Sequence, residues 1–165
     1  MPSSAHRVVV SDAGPLIALG RLDLLHLLPA LFAQVQVPNA VLTECMARPQ
    51  NADAIRIRLA VTQQWLTPCD AIPIAVQGLD LGERAAIARA LEIGAGLLAD
   101  DRAARQHAAA LGLVVIGTLG VLVLAKRAGS LASIRPLIDA LRTSGQRLSR
   151  AAVAQALAAA QEAGE

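Results

Sequence analysis

The segment RVVVSDAGPLIAL, residues 7–19, sets the fold class of this chain. Its consecutive β-branched valines predict a short, fully buried strand over Arg7–Ser11. A helix is predicted over Ala13–Leu19, with Pro15 in the first turn, where proline is tolerated. Asp12 stands at the junction of the two elements. A strand that passes directly into a helix is typical of α/β proteins with a parallel sheet.

The rest of the chain repeats this alternation of apolar strands and helices. Because the strands are continuous apolar runs, we expect a central parallel sheet covered by helices on both faces, an α/β/α arrangement of three layers. Further strands are predicted over Val35–Val37, Ala95–Ala99 and Leu113–Ile116, with an extended, proline-interrupted connection over Trp65–Ile74. Helices are predicted over Asp23–Leu28, Pro38–Ala47, Ala52–Gln64, Asp80–Ile93, Asp101–Leu111, Thr118–Ala128, Ile134–Thr143 and Ser149–Ala160.

The length of 165 residues fits one domain. The sequence shows no internal repeat, low-complexity linker or change of composition that would mark a second domain. We therefore expect a single domain over residues 1–165, with a core at about 7–128 and a helical C-terminal extension at about 129–163.

Composition limits the classes of partner. The formal net charge is +2, from 15 basic and 13 acidic residues, which is too balanced to indicate a nucleic-acid binder by charge alone. Phe32 and Trp65 are the only aromatic residues, so the core must be aliphatic and base stacking on aromatic rings is disfavoured. Every basic residue except Lys126 is arginine, which suits phosphate contacts, although a codon bias explains this equally well.

The chain is expected to be cytoplasmic and not to enter a membrane. Cys45 and Cys69 lie far apart and outside any CxxC pattern, which is typical of reduced thiols in a cytosolic protein. The stretch Ala108–Ala125 carries no charge and approaches the length of a membrane span. Glycines interrupt it at Gly112, Gly117 and Gly120, so a buried strand followed by a buried helix is the better interpretation.

Acidic residues recur where the predicted strands end. Asp12 follows the first strand, and Asp100 and Asp101 follow Ala95–Ala99. Glu44 lies in the helix after the second strand, and Glu83 lies near the start of the helix that precedes the aspartate pair. Ligands of open α/β sheets bind beyond the carboxyl ends of the strands, so these acids are expected to meet in one cleft.

Each acid also has a purely structural interpretation. Asp12 suits an N-cap, and Glu83 stands three residues after Asp80, close to the spacing of a capping box. The Asp100–Asp101 pair opens a helix, where acids complement the dipole, so one of the two is expected to be a cap. Glu44 is hardest to explain structurally, because an acid late in a helix opposes the dipole.

Taken together, the acids indicate a divalent cation. Two carboxylates about 4 Å apart repel by roughly 4 kcal/mol at an effective dielectric near 20, so several in one cleft must share protons or hold a cation. The three histidines show no metal-ligand spacing. A set of oxygen ligands suits Mg²⁺ or Mn²⁺, which serve phosphoryl and phosphodiester chemistry.

The order and spacing of five motifs resemble the PIN-domain family, in particular its VapC-type toxin nucleases. The resemblance runs from about Val8 to Leu157. It implies a metal-dependent endoribonuclease that cleaves RNA, often the toxin of a toxin–antitoxin pair, commonly a homodimer and held inactive by a protein antitoxin. The motifs are VVSDAGPLIAL, VPNAVLTE, LDLGERAAIARALE, LLADDRAAR and LGLVVIGTLGVLVLAKRAG.

By position, the resemblance implies that Asp12, Glu44, Glu83 and an acid after the later strand are the catalytic, metal-binding residues. Asp101 fits this last acid best, but Asp100 fits it too, with Asp101 as the cap. Many relatives carry Thr or Ser shortly before the acid, where this chain has Ala99. Three arginines flank the acids and suit contact with the RNA backbone, although a solvated helix face explains them equally well: Arg84, Arg102 and Arg105.

Other classes fit the pattern less well. A phospho-acceptor domain of the response-regulator kind would place its acid pair after the first strand and a lysine after the last. Here the pair comes late, and Lys126 lies inside a predicted helix. A dehalogenase-type phosphatase would need DxD where Asp12 is followed by Ala13 and Gly14. A non-catalytic PIN-like interaction module remains an alternative.

Overall fold

The structure is a computed structural model that describes residues 7–163. Residues 1–6 and 164–165 lie outside that range.

Five strands form one sheet in the order β3-β2-β1-β4-β5, and every neighbouring pair is parallel. Val9 of the central strand pairs with Val35 on one side and Gly96 on the other, and it is fully buried. A central strand covered on both faces explains the continuous valine run that opens the chain. The strands are β1 (Val8–Ser11), β2 (Gln34–Pro38), β3 (Thr67–Cys69), β4 (Gly96–Leu98) and β5 (Val115–Ile116).

Helices flank this sheet, so the predicted α/β/α architecture with a central parallel sheet is confirmed. Helix α5 packs against β1, β2 and β4 and also contacts α3, whereas α7 contacts α1, α2 and α9. The helices are α1 (Ala13–Arg21), α2 (Leu27–Leu31), α3 (Asn39–Cys45), α4 (Ala52–Thr62), α5 (Leu81–Ile93), α6 (Arg102–Ala110), α7 (Thr118–Arg127), α8 (Arg135–Thr143) and α9 (Arg150–Ala159).

The strand order reverses at β1, and this reversal positions the candidate site. The chain runs from β1 outward to β2 and β3, then crosses to the other side of β1 to form β4 and β5. The backbone N–H of Asp12 donates to the carbonyl of Leu98 at 2.9 Å, which joins the carboxyl ends of β1 and β4. A crevice at such a reversal is where α/β sheets bind ligands.

One predicted helix was wrong in its position. A helix over Asp23–Leu28 was expected to stop before Pro29, but Asp23 has a φ of 55° and α2 spans Leu27–Leu31 with Pro29 inside it. Proline is accepted there because the first backbone N–H groups of a helix have no intrahelical partner to lose.

The extended connection after α4 contains a short strand. β3 covers Thr67–Cys69 and pairs only with β2, so it forms an edge of the sheet. Pro68 lies within it, in keeping with the confinement of proline to edge strands.

The uncharged stretch Ala108–Ala125 is divided as predicted. It contains the end of α6, all of β5 and most of α7. Within residues 7–163, no helix combines the length and the apolar character that crossing a membrane requires.

The interior is aliphatic, as the composition requires. Leu16, Leu28, Ile87, Leu98 and Leu122 are among the side chains that are essentially inaccessible to solvent. They belong to helices on both sides of the sheet and to β4, so one continuous cluster of buried residues supports the carboxyl ends of the strands.

The C-terminal extension is attached to the body through Glu162. Its carboxylate accepts hydrogen bonds from Lys126 Nζ at 2.7 Å and from the backbone N–H groups of Ile134 and Arg135 at 2.8 and 3.2 Å. The Lys126 contact and the Ile134 N–H lower the pKa of Glu162 to about 2. The ionised carboxylate therefore joins the segment after α9 to α7 and to the first turn of α8.

Candidate metal centre

Asp12 occupies the N-cap position of α1, but its side chain makes no capping hydrogen bond. The residue is 6% exposed, and its buried Oδ1 has no hydrogen-bond partner among residues 7–163. Leaving a buried carboxylate oxygen unpartnered is costly, and native proteins rarely do so without a functional reason. The structural interpretation of Asp12 as a simple cap therefore fails on geometry.

The pKa of Asp12 also indicates that this residue is more than a helix cap. Burial first, together with the charges of Asp80, Glu44 and Glu83, raises the pKa of Asp12 to about 7, against the opposing effect of the Ala13 backbone N–H. A carboxylate so placed loses solvation and faces like charges. A bound cation would relieve both effects.

Glu44 lies in the last turn of α3 and faces the start of α5. Burial first, then the charges of Asp80 and Glu83, raises its pKa. A Cβ added at Gly82 would lie 2.8 Å from Glu44 Oε2 and 3.4 Å from the Val41 side chain. Because glycine has no side chain, position 82 leaves the space that the Glu44 carboxylate occupies.

The first turn of α5 carries a complete capping box. Asp80 Oδ1 accepts from the backbone N–H of Glu83 at 2.7 Å, and Glu83 Oε2 accepts from the backbone N–H of Asp80 at 2.9 Å. The local interpretation of this pair is therefore correct. Burial first, then the charges of Asp80 and Asp101, raises the pKa of Glu83, against the opposing effect of the Asp80 backbone N–H.

Asp80 contributes more than a cap, and sequence reasoning missed it. Asp12, Glu44 and Asp80 each offer a carboxylate oxygen, and these oxygens lie within 4.8 Å of one another. The only signal in the sequence was the acid at the other end of the capping box. Three hard oxygen donors, one of them buried and unpartnered, fit Mg²⁺ or Mn²⁺, and we call this set the carboxylate cluster.

The aspartate pair after β4 is divided between two helices. Asp101 is the N-cap of α6, with Oδ2 accepting from the Ala104 backbone N–H at 3.0 Å. Asp100 accepts from the backbone N–H of Thr118 at 2.7 Å and from its hydroxyl at 2.6 Å, at the first position of α7. Asp101 is thus the cap of the following helix, the alternative that the sequence had left open.

The three predicted RNA-contacting arginines lie in different environments. Arg84 is half-buried, and its Nε is buried without a hydrogen-bond partner. Arg105 Nη1 donates to the carbonyl of Ala99 at 2.9 Å, which holds it beside the end of β4. Arg102 is exposed at the start of α6.

Replacing Gly82 by Ala tests the packing of the carboxylate cluster. Alanine is the better helix former by about 0.5–1 kcal/mol, so the variant should unfold at an equal or higher temperature. Its Cβ would displace the Glu44 carboxylate, so Mn²⁺ affinity, measured by calorimetry, should fall by roughly 10-fold or more, the loss that disturbed metal-site surroundings bring. Unchanged Mn²⁺ affinity in a folded variant would remove Glu44 from the cluster.

A parallel sheet whose reversal point gathers buried and exposed carboxylates defines a class of α/β proteins with a site that could hold a divalent cation. Within this class, a family model described as a PIN domain matches residues 8–162. The chain therefore belongs to the PIN-domain family, whose members are generally metal-dependent nucleases. The resemblance of the five sequence motifs to the PIN-domain family is thereby confirmed.

A solved structure supports the same fold. The chain is similar to a PilT N-terminus domain protein from the hyperthermophilic archaeon Sulfolobus solfataricus P2, with a TM-score of 0.52 and 18% sequence identity. The similarity covers 76% of this chain and 95% of the archaeal chain. A search of curated proteins returned no match.

Proposed function

We propose that this protein is a divalent-metal-dependent endoribonuclease that cleaves RNA phosphodiester bonds. The observation that carries the proposal is the buried, unpartnered Oδ1 of Asp12, which lies within the carboxylate cluster. Such an arrangement is unfavourable in a metal-free resting protein and useful in one that binds a cation.

Asp12, Glu44 and Asp80 would hold one or two Mg²⁺ or Mn²⁺ ions, with Glu83 and Asp101 as the further acids that the family pattern implies. Bound there, the cation would activate water at neutral pH and offset charge on the phosphodiester oxygens. The capping box holds Asp80 and Glu83 in place through the backbone of α5. Arg102 and Arg105, beside the aspartate pair, would bind the RNA backbone, and Arg84 is the less accessible of the three arginines.

The finer assignment is a toxin of a type II toxin–antitoxin pair. It rests on the resemblance of the motifs to VapC-type nucleases, and it implies a protein antitoxin, a homodimer and a cytoplasmic location. It also implies that residues 1–165 act as one PIN-like domain.

The second candidate is a PIN-like module that binds only a partner protein. The cluster speaks against it, because an inert module has no reason to keep a buried carboxylate without a partner. A phospho-acceptor domain has less support still, since Lys126 is engaged by Glu162 at 2.7 Å.

The decisive experiment compares RNA cleavage by the wild-type chain and by Glu44→Gln, with Mn²⁺, with Mg²⁺ and with EDTA. We expect cleavage only with metal, and at least about a 100-fold loss in Glu44→Gln, since even outer partners of metal ligands contribute 10–100-fold. Glu92→Gln is the matched control, because Glu92 is an exposed helical glutamate that pairs with Arg89. Metal-independent cleavage, or equal losses in both variants, would contradict the proposal. Mn²⁺ binding without cleavage of any RNA would favour the interaction module.

A further inference from the structure

A cavity of about 770 Å³ opens between the body of the protein and its C-terminal extension. Its walls come from α6, from β5 and α7, and from α9 together with the link that precedes it. This size suits a small organic ligand or one to two nucleotides, since ligand sites typically span about 300–1,000 Å³. Asp12, Glu44, Asp80, Glu83 and Asp101 do not line it, whereas Asp100, the alternative to Asp101 as a further ligand, does.

The cavity has two kinds of lining. Aliphatic side chains such as Ile116, Leu119, Val123 and Leu148 form most of its surface. Polar groups with both donors and acceptors stand among them, namely Gln106, Gln146, Ser149 and Gln155. Apolar walls with a few placed hydrogen-bonding groups are the usual environment of a small organic ligand.

The charge at this cavity is positive. Arg102, Arg105 and Arg147 line it, and Asp100 is the only acid among the lining residues. The Asp100 carboxylate is already engaged by Thr118 and, at 3.4 Å, by Gln146 Nε2. The cavity therefore favours an anionic ligand, and guanidinium groups are preferred partners of phosphate.

The position of the cavity connects it to the carboxylate cluster. Asp100 lines the cavity, and the backbone N–H of Asp12 donates at 2.9 Å to the carbonyl of Leu98, two residues before Asp100. Both features lie at the carboxyl edge of the sheet, one beside β1 and α5 and the other beside β5 and α7.

We propose that this cavity is a nucleotide subsite, which binds the base and phosphate of an RNA nucleotide next to the phosphodiester at the carboxylate cluster. The proposal rests on the endoribonuclease function above and adds the part of the molecule that selects the base. The glutamine side chains would hydrogen-bond the base edge, and the arginines would bind its phosphate.

The absence of aromatic rings from the cavity lining does not oppose this assignment. RNA bases stack on arginine guanidinium planes as well as on aromatic side chains, and Arg102 and Arg147 are exposed at the cavity. A second cavity of about 510 Å³ contains Phe32 and Trp65, but no charged side chain lines it, so it lacks the phosphate-binding character.

The test fills the cavity without touching the acids. Fluorescence anisotropy in EDTA measures the binding of fluorescein-labelled hexaribonucleotides of A, C and U. The affinity of the wild-type chain is compared with that of Ala152→Leu and of the control Ala154→Leu. Ala152 lines the cavity, while Ala154 is exposed on the same helix and lies outside it. We expect Ala152→Leu to weaken binding by roughly 10-fold or more, as small changes of pocket volume do, and Ala154→Leu to leave it unchanged.

A second pair of variants avoids any change in packing. Gln155 is exposed and lines the cavity, so Gln155→Glu should repel the phosphate and weaken binding, while Ala154→Glu adds the same charge outside the cavity. In the cleavage assay, Ala152→Leu should raise KM and flatten the base preference at one position, with little change in kcat.

These outcomes separate the subsite from the proposed enzyme activity. Weaker hexaribonucleotide binding in Ala152→Leu and Gln155→Glu supports the subsite even if the wild-type chain cleaves no RNA. Equal affinities in the wild-type chain and all four variants overturn the proposed subsite. A cavity that holds a segment of a partner protein instead would give this result.

Discussion

Asp12→Asn is expected to abolish metal-dependent RNA cleavage and, at pH 8, to stabilise the metal-free protein. The first effect follows from the loss of the one buried metal ligand in the carboxylate cluster. We expect kcat to fall by more than about 100-fold. The second follows from the pKa of about 7 that Asp12 has in the folded protein, against 3.8 for an ordinary aspartate.

The sign of the pH effect follows from that shift. A folded pKa above the unfolded value means that the native state binds more protons between about pH 4 and 7, so Asp12 makes the free energy of unfolding fall as pH rises through this window. A shift of this size corresponds to a destabilisation on the order of a few kcal/mol above pH 7. Asparagine removes the charge, and with it the penalty.

Thermal unfolding at pH 5 and pH 8, with EDTA and with Mn²⁺, measures these effects. In the wild-type chain, Mn²⁺ should raise Tm more at pH 8 than at pH 5, and in Asp12→Asn this gain should largely disappear. Asp139→Asn is the control, because Asp139 is exposed on α8 and pairs only with Arg142. An Asp12→Asn protein that is less stable than the wild type at pH 8 would show that Asp12 has a structural role instead.

Asp100→Ala is expected to cause the largest loss of stability among the acid substitutions. Thr118 is 1% exposed, and its backbone N–H and hydroxyl both donate to Asp100. Hydrogen bonds to charged groups contribute about 1.5–3 kcal/mol each, and an orphaned buried donor costs about 1–3 kcal/mol. We therefore expect a loss of roughly 3–5 kcal/mol in the free energy of unfolding, measured by urea denaturation.

Two conservative variants separate stability from metal binding. Asp100→Asn can still accept from the Thr118 N–H, so it should retain much of the lost stability, and Asp101→Asn should change stability little because asparagine caps helices as well as aspartate does. Whichever of the two lowers Mn²⁺ affinity is the further ligand. A small stability loss in Asp100→Ala would mean that the α7 terminus finds other partners.

The sheet and most helices could be predicted from local pattern alone. The valine run of β1 and the Asp80–Gly94 helix carry periodicity and caps that tertiary contacts do not override. The prediction for the region around Asp23 was wrong because a proline in the first turn of a helix and a proline at a helix break look the same in sequence. The packing of α2 against α7 and β2 distinguishes them.

The candidate site was predictable in part. Asp12 and Glu44 stood out because a structural role explains them poorly. Asp12 follows a strand at the ligand-binding edge of the sheet, and Glu44 opposes the dipole of its helix. Asp80 was missed because a capping box explains it fully at the local level, and its second contact, to Asp12 and Glu44, depends on how α3 crosses α5 at Gly82. Asp100 and Asp101 could not be separated, since both follow one strand and their roles depend on the distant Thr118.

The carboxylate cluster comes entirely from the first half of the chain, from Asp12, Glu44 and Asp80, whereas the nucleotide cavity is built from residues 100–159. The two meet only at the aspartate pair. Under the proposed function, chemistry and selectivity are thus encoded by separate stretches of the gene. Substitutions in the second stretch would then change the RNA that the protein recognises while the carboxylate cluster stays intact, so related chains with the same acids are expected to differ in what they recognise.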